Sequence, residues 1–377
     1  MKLLQIYNFA SHYRRLIYRL IDQEIGGDFC FGDKVFGQDD VKKMDYSLLK
    51  GKVWEVKNIK VPFGHYYKGV PSLIRANYDT YIISGETRCI STWLFLLLAK
   101  FYPGKRVYLW THGWLGDEGL VTILLGKVFY SLCTGAFIYN DRSRELMIRQ
   151  GINPSKLHTI YNSLDYDTQL QIRESLSLSD IYGSHFNNAN KNIVFIGRLT
   201  KIKRFDLLID AVFKLKQQGE FINVTFIGDG IERSNMERLV KERGIINQVW
   251  FYGACYDEII NAELIFNADL CVSPGNIGLT AMHVMMFGCP VITHDDFNHQ
   301  VPEFEAVRNG VTGAFFHVGD SNSLANVISD WFSRHSNDRE AVREACYKEI
   351  DSKWNPHNQI SILKEVLNGN NPSKIHK

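Results

Sequence analysis

Two basic side chains, Arg198 and Lys203, close the run Phe195-Ile196-Gly197-Arg198-Leu199-Thr200-Lys201-Ile202-Lys203. The run reads as a buried strand that turns at Gly197, where glycine accepts backbone angles closed to other residues. A guanidinium and an ammonium at a strand's carboxyl end are charge-assisted donors of the kind a diphosphate needs. Taken alone, the segment reads equally well as a solvated cationic loop. A second loop, Ile227-Gly228-Asp229-Gly230, also follows an apolar run, and its glycines would let a ligand approach the backbone. Gly-Asp-Gly is ordinary turn chemistry as well. The third stretch is Ser273-Pro274-Gly275-Asn276-Ile277-Gly278-Leu279-Thr280-Ala281-Met282-His283. There a strand ends and a glycine loop opens a helix, whose first-turn N–H groups and dipole favour an anion. Gly288 is a C-cap signal for that helix, and Pro290 starts the next strand. Met282, Met285 and Met286 read as core. A fourth stretch, Pro302-Glu303 and then Asn309-Gly310-Val311-Thr312-Gly313, closes the block.

Loops of this kind need strands covered on both faces. Candidate strands are Leu3–Tyr7, Thr80–Ser84, Val107–Thr111, Ala136–Tyr139 and Leu157–Tyr161, then Ile193–Ile196, Val224–Ile227, Val249–Tyr252, Leu270–Ser273 and Pro290–Thr293. Most lack polar alternation, as in a parallel sheet. Amphipathic segments separate them: in Phe205–Gln218, residues Leu207, Leu208, Ala211, Val212 and Leu215 share one stripe. The repeated strand, helix, strand order means an α/β class. Two such blocks flank the polar stretch Asp165–Lys191, which reads as a domain boundary. Two doubly wound parallel-sheet domains would face a central cleft with the carboxyl ends of their strands, where such folds take ligands.

Length and composition agree. The 377 residues suit two to three domains. Hydrophobic residues at 45% and charged residues at 22% exclude a disordered or coiled-coil chain. With 43 Lys and Arg against 41 Asp and Glu, the net charge of +2 gives no case for nucleic acid. The longest apolar run, Trp93–Ala99, has seven residues, against about 20 for a membrane span. The start, MKLLQIYNFASHYRR, has no secretory pattern. Seven scattered cysteines without a CxxC pair read as buried thiols in a reducing compartment. The expected location is therefore cytoplasmic. Seven lysines between Lys42 and Lys68, against Asp45 and Glu55, read as a solvated loop region. The sharper alternative is a basic face for anionic lipid or an anionic acceptor.

The four stretches, in this order and spacing, resemble the nucleotide-sugar-binding half of GT-B glycosyltransferases of the retaining family 4 type (glycosyl transferases group 1). GRLTKIKRFDLLIDA is similar to that family's G-R-L-x-x-x-K-G-x-D-L-L-I-x-A, and IGDG and NGVTG to its later glycine turns. The resemblance covers Asn192–Phe316 best and implies a GT-B fold of two Rossmann-like domains. It implies a first domain over residues 1–170, a linker over 171–191 and a donor domain over 192–355, with a C-terminal helix in 356–377 packing back on the first domain. It also implies donor contacts from Gly197, Gly228, Gly230, Asn276, Ile277, Gly278 and Leu279, with Arg198 and Lys203 on the diphosphate. The chain departs from the family's E-x7-E pattern: its first glutamate falls on Gly275 and its second on His283. In the family the first meets the donor sugar and the second the ribose. Here sugar recognition passes to backbone amides and Asn276, and His283 can offer a ring nitrogen to the ribose or stand as a satisfied core histidine.

The first block is less family-like. Leu109-Trp110-Thr111-His112-Gly113 places His112 at a strand end, resembling the family histidine near the reacting sugar. Trp110 and Trp114 either stack on a sugar or pack in the core. Where the family often has a glycine loop, the chain has Asn8-Phe9-Ala10-Ser11-His12-Tyr13-Arg14-Arg15. Arg14 and Arg15 suit an anionic acceptor, or a solvated face. Glu86, at another strand end, suits an acceptor hydroxyl. The resemblance thus implies transfer of a sugar from a nucleotide diphosphate sugar, of UDP or GDP type, to a hydroxyl of a glycan or lipid-linked glycan. Retention of configuration, no metal and no other cofactor are expected. So are bacterial surface polysaccharide synthesis and peripheral contact with the inner face of the cytoplasmic membrane. The rival expectations are a nucleotide-sugar epimerase on the same fold and a non-catalytic nucleotide-sugar or partner-binding protein.

Overall fold

The structure is a computed structural model that describes residues 1–36 and 41–369. The chain divides into two units: Met1–Asp165 together with Asn355 onward, and Tyr166–Trp354. In the first unit the strands are β1 (Leu3–Tyr7), β2 (Asp28–Gly32), β3 (Val53–Val56), β4 (Asn58–Val61), β5 (Gly64–Tyr67), β6 (Thr80–Ser84), β7 (Arg106–Thr111), β8 (Gly135–Ile138) and β9 (Leu157–Thr159). Seven form one sheet in the order β3-β2-β1-β6-β7-β8-β9. Every neighbouring pair in it is parallel. All five β1 residues are buried, which explains its apolar run.

The second unit holds β10 (Lys191–Ile196), β11 (Ile222–Ile227), β12 (Val249–Gly253), β13 (Leu270–Ser273), β14 (Val291–His294) and β15 (Gly313–Phe316). They pair in parallel in the order β12-β11-β10-β13-β14-β15. Both sheets thus run third, second, first, fourth, fifth, sixth, the Rossmann order, with a seventh strand (β9) at the end of the first, and both reverse direction beside their first strand. Each unit is a doubly wound α/β domain.

The structure corrects three expectations. Residues 171–191 are not a linker: helices Tyr166–Ser175 and Ile181–Phe186 belong to the second unit. Tyr182 is buried there and donates its hydroxyl to the Leu264 carbonyl at 2.7 Å, and Arg173 pairs with Asp351 at 2.9 Å. The Ser and Asn residues in and around these helices carry the polar composition that mimics a linker. Secondly, 42–68 is not a plain loop. It supplies β3, paired with β2, and the antiparallel hairpin β4–β5. Four-residue strands carry too short a pattern to stand out from a loop. Thirdly, Trp114 is not open to a sugar. It is buried against Gly126, where an added Cβ would lie 2.7 Å from its ring.

The last described helix, Pro356–Leu367, is capped by Asn355, whose side chain accepts from the Asn358 amide. It sits in the first unit: Lys364 pairs with Glu24 at 2.6 Å, Arg106 donates to the Leu367 carbonyl at 2.7 Å, and Gln359 donates to Tyr161 O at 2.9 Å. Residues 370–377 of the expected segment lie outside the described residues. All seven cysteines are free thiols, six buried and Cys255 half-buried.

Candidate functional site

In the second unit the reversal of strand order falls between β10 and β13, and the glycine loops follow those strands and β11. The first two loops hold each other. Gly197 donates its amide to Ile227 O at 2.9 Å, Leu199 to Asp229 O at 2.9 Å, and Glu232 to Leu199 O at 3.1 Å. A Cβ on Gly228 would stand 1.9 Å from Gly197 O, and one on Gly230 would stand 2.3 Å from Leu199 O. Gly228 and Gly230 therefore admit the neighbouring loop's backbone. Gly197 (φ +144°) needs glycine for its conformation. Arg198 follows it, exposed. Arg204 holds φ +52° at the position where the resembled pattern has glycine, with its guanidinium on Asp206 at 2.8 Å.

The loop after β13 is pinned from three sides. Lys203 donates its ammonium to Asn276 O at 2.6 Å and Ile277 O at 3.3 Å, and its own carbonyl accepts from the Gly275 amide at 2.9 Å. Buried Gln300 accepts from the Ile277 amide at 3.0 Å and donates to the Thr293 hydroxyl at 2.9 Å. Thr293 in turn donates to Ser273 O at 2.9 Å and Gly275 O at 3.1 Å. Burial lowers the Lys203 pKa to about 8. Lys203 therefore ties the loop instead of pointing at a ligand. A Cβ on Gly275 would lie 1.9 Å from Ile202 O and 2.8 Å from Lys203 Cα, so no side chain fits there. Gly278, at φ +60° and ψ −153°, takes a glycine-only conformation and opens the helix Leu279–Met286. Thr280 ties the first turn of this helix to β10 through Ile196 O at 3.0 Å, and the Ala281 amide closes the turn on Gly278 O at 3.0 Å. Ile277 is buried, and Asn276 and Leu279 are half-buried.

His283 is neither a plain core histidine nor a lone ring. Its Nε2 lies 2.9 Å from Oε1 of Glu258, which also accepts from Gln169 at 2.7 Å. Burial opposes the Glu258 charge, but the neighbouring His283 and these hydrogen bonds outweigh it and hold the carboxyl below its usual range. A carboxylate is thus kept beside the position of the family's second glutamate, from a different helix. Glu258, Gln169, Gln300 and Thr293 were missed in the sequence. None stands at a fixed spacing from the glycine loops, and only the fold brings them in.

In the first unit the corresponding edge is made of side chains. Arg14 donates to the Tyr139 hydroxyl, and its guanidinium carbon lies 5.7 Å from the Trp110 ring centre and 5.5 Å from that of Tyr139. Trp110 Nε1 is buried without a hydrogen-bond partner among the described residues. No carboxylate pairs with Arg14 among the described residues. Tyr139 stacks obliquely on His112, centres 4.8 Å apart. His112 is exposed, and desolvation by the protein around it, with the Arg14 charge, lowers its pKa to about 4. It is a neutral imidazole at physiological pH. Arg15 does not join this cup, because it pairs with Asp165. Glu86 accepts from the Asn8 side chain at 3.1 Å and lies 3.5 Å from His65. Among the described residues no group of three or more His, Cys, Asp or Glu is placed to hold a metal ion.

Comparison with known proteins places these loops. Residues 182–349 match the family described as Glycosyl transferases group 1. An uncharacterized 41.2 kDa protein in the cps region of Klebsiella pneumoniae is 23% identical over 219 residues, 57% of this chain and 56% of that protein. An uncharacterized glycosyltransferase of Methanocaldococcus jannaschii is 26% identical over 229 residues, 59% of this chain and 52% of that protein. The matched stretches thus span about half the length of these curated relatives. The crystal structure of Anabaena HepE in complex with UDP superposes with a TM-score of 0.70 at 16% identity, covering 98% of this chain and all of that one. At that identity the likeness establishes the fold, which is GT-B.

Proposed function

We propose that this GT-B chain, with its glycosyl transferases group 1 domain, is a glycosyltransferase that uses a nucleoside diphosphate sugar. The observation that carries the reading is the loop Ser273–Leu279. It is pinned by Lys203, Thr293 and Gln300 so that helix Leu279–Met286 opens beside Gly197 and Arg198. In this proposal the diphosphate lies against the first-turn amides and Arg198, which stabilise the negative charge that grows as the sugar leaves. Lys203 acts by holding the loop, and the Glu258–His283 pair meets the ribose hydroxyls. The donor is of UDP or GDP type, in keeping with UDP bound to the similarly folded Anabaena protein. His112, as a neutral imidazole, shares a hydrogen bond with the transferred sugar. The acceptor is a glycan or lipid-linked glycan hydroxyl, with Arg14 meeting an anionic group on it. Transfer retains configuration by same-face attack assisted by the leaving phosphate, so the chemistry calls for no protein nucleophile. Surface polysaccharide synthesis on the inner face of the cytoplasmic membrane is the proposed setting.

Titration calorimetry with UDP, GDP, ADP and CMP tests the reading. One diphosphate should bind with micromolar affinity, and Arg198→Ala should weaken it. Equal affinity in wild type and variant would refute the site. A second reading, nucleotide-sugar binding without turnover, is favoured by one observation: Gly275 has no room for the family's sugar-contacting glutamate. Release of free nucleotide with an acceptor alone, with none, or not at all separates transferase, epimerase and non-catalytic protein.

A further inference from the structure

One surface of the first unit breaks the rule that surface helices turn charge to water. Helix Leu120–Leu132 buries Gly126, Phe129 and Tyr130 and exposes Leu120 (80%), Val121 (71%), Leu124 (62%) and Leu125. Lys127 is the only charged residue in it. Beside it, helix Ile90–Ala99 exposes Leu94, and Phe101, two residues past its end, is 79% exposed. The two helices are adjacent, with the Trp93 and Phe129 rings 4.8 Å apart. They follow β6 and β7 in a sheet that continues in one direction through β8, so right-handed crossovers put both on the same face. The exposed side chains therefore form one patch, of the kind that marks a membrane or protein interaction site.

The charges around the patch choose between occupants. Residues 87–140 contain five Lys or Arg against two carboxylates, Asp117 and Glu118. Lys105 is turned inward onto Ala76 O and Tyr78 O, at 2.7 and 2.9 Å. Lys100 and Lys127 are exposed, and neither pairs with a carboxylate among the described residues. The intervening Glu118 accepts from the Leu115 and Gly116 amides. A second copy docked on this face about a twofold axis would set these cations against themselves. An anionic lipid surface complements both features: the leucines enter the boundary between headgroups and acyl chains while the lysines meet lipid charge. No helix among the described residues is long and apolar enough to cross a membrane, so the contact is interfacial.

We propose that the face built by helices Ile90–Ala99 and Leu120–Leu132 docks on an anionic lipid bilayer. The claim concerns binding alone and stands apart from the proposed reaction. The test is sedimentation of the full chain with vesicles of phosphatidylcholine, alone or with phosphatidylglycerol as roughly a third of the lipid. The chain should partition onto the anionic vesicles, less so at high salt. Leu124→Ser/Leu125→Ser should cut partitioning by about tenfold or more. Lys100→Gln and Lys127→Gln should each cost about fivefold on anionic vesicles only. Because these side chains are exposed, melting points should hold, and nucleotide affinity should be unchanged. Absence of binding to both vesicle types would overturn the proposal. So would a wild-type dimer in analytical ultracentrifugation that Leu124→Ser/Leu125→Ser converts to monomer, which would assign the face to a second copy.

Discussion

The carboxyl edge of the second sheet is built from backbone; that of the first is built from side chains. In the second unit three glycines admit neighbouring chain where a Cβ would lie 1.9 to 2.3 Å from a carbonyl oxygen, and buried Gln300, Thr293 and Lys203 hold the resulting loop. In the first unit Arg14, Trp110, Tyr139 and His112 form the edge, and their partners are rings and a hydroxyl. A site made of pinned amides suits a ligand part common to many substrates, such as a diphosphate. A site made of side chains can change its preference one substitution at a time. The contrast fits a shared donor chemistry and a divergent acceptor.

The largest effect should come from the backbone side. Gly275→Ala places a Cβ into Ile202 O at 1.9 Å, in a buried loop that cannot relax without moving Lys203. The expected cost is about 3 kcal/mol or more in denaturant unfolding. Gly275→Glu, which restores the family residue, should be at least as damaging and should not raise activity. A wild-type midpoint in Gly275→Ala would mean that the loop is soft, and the contrast between the two edges would fail.

Arg198→Gln comes next and separates binding from folding. Arg198 is exposed, so the unfolding midpoint should stay within about 0.5 kcal/mol of wild type. Loss of a charge-assisted contact should lower nucleoside diphosphate affinity by roughly ten- to a hundredfold. Lys203→Met should cost both stability and affinity. Two carbonyls lose their donor, at a stability cost of about 1–3 kcal/mol, and affinity falls because the amides move. An Arg198-like profile for Lys203, with affinity lost and the fold untouched, would return the ammonium to the ligand.

Much of this was legible in the residues, and unevenly so. The glycines at 197 and 228 announce strand ends and Gly278 a helix start, because backbone geometry leaves little alternative, and that is why the second unit could be read. What they hold was not legible. Gly228 and Gly230 look like ligand cradles until their missing Cβ atoms are found against Gly197 and Leu199. Lys203 looks like a phosphate cation until its ammonium is found on Asn276 and Ile277. Glu258 reaches His283 from 25 positions away, a distance that only folding closes. Short strands β3, β4 and β5 escaped because four residues cannot establish a period of two. The exposed leucines of Leu120–Leu132 carry no signal in the sequence, since apolar composition does not say which face is wet.

The side-chain edge should respond to Arg14→Met with a smaller and different change. Donor affinity and the fold should hold, while the KM for an anionic acceptor should rise by up to about tenfold. Removing the Arg14 charge should also raise the His112 pKa from about 4, read by NMR titration of its ring. A shift in donor affinity instead would tie Arg14 to the nucleotide.

The last effect is a pH dependence on the backbone edge. The folded Lys203 pKa of about 8 lies below the ordinary 10.5, so between those values the unfolded chain binds more protons than the folded one. Stability therefore gains from Lys203 as pH rises from 8 towards 10.5, and the gain is lost as pH falls through 8. The stability difference between wild type and Lys203→Met, measured by denaturant unfolding at pH 7, 8.5 and 10, should grow in favour of wild type. A difference that stays flat would mean that the ammonium is as well solvated in the folded loop as in the open chain. The tie to Asn276 and Ile277 would then be too loose to set the amides, and the two edges would differ less than their geometry indicates.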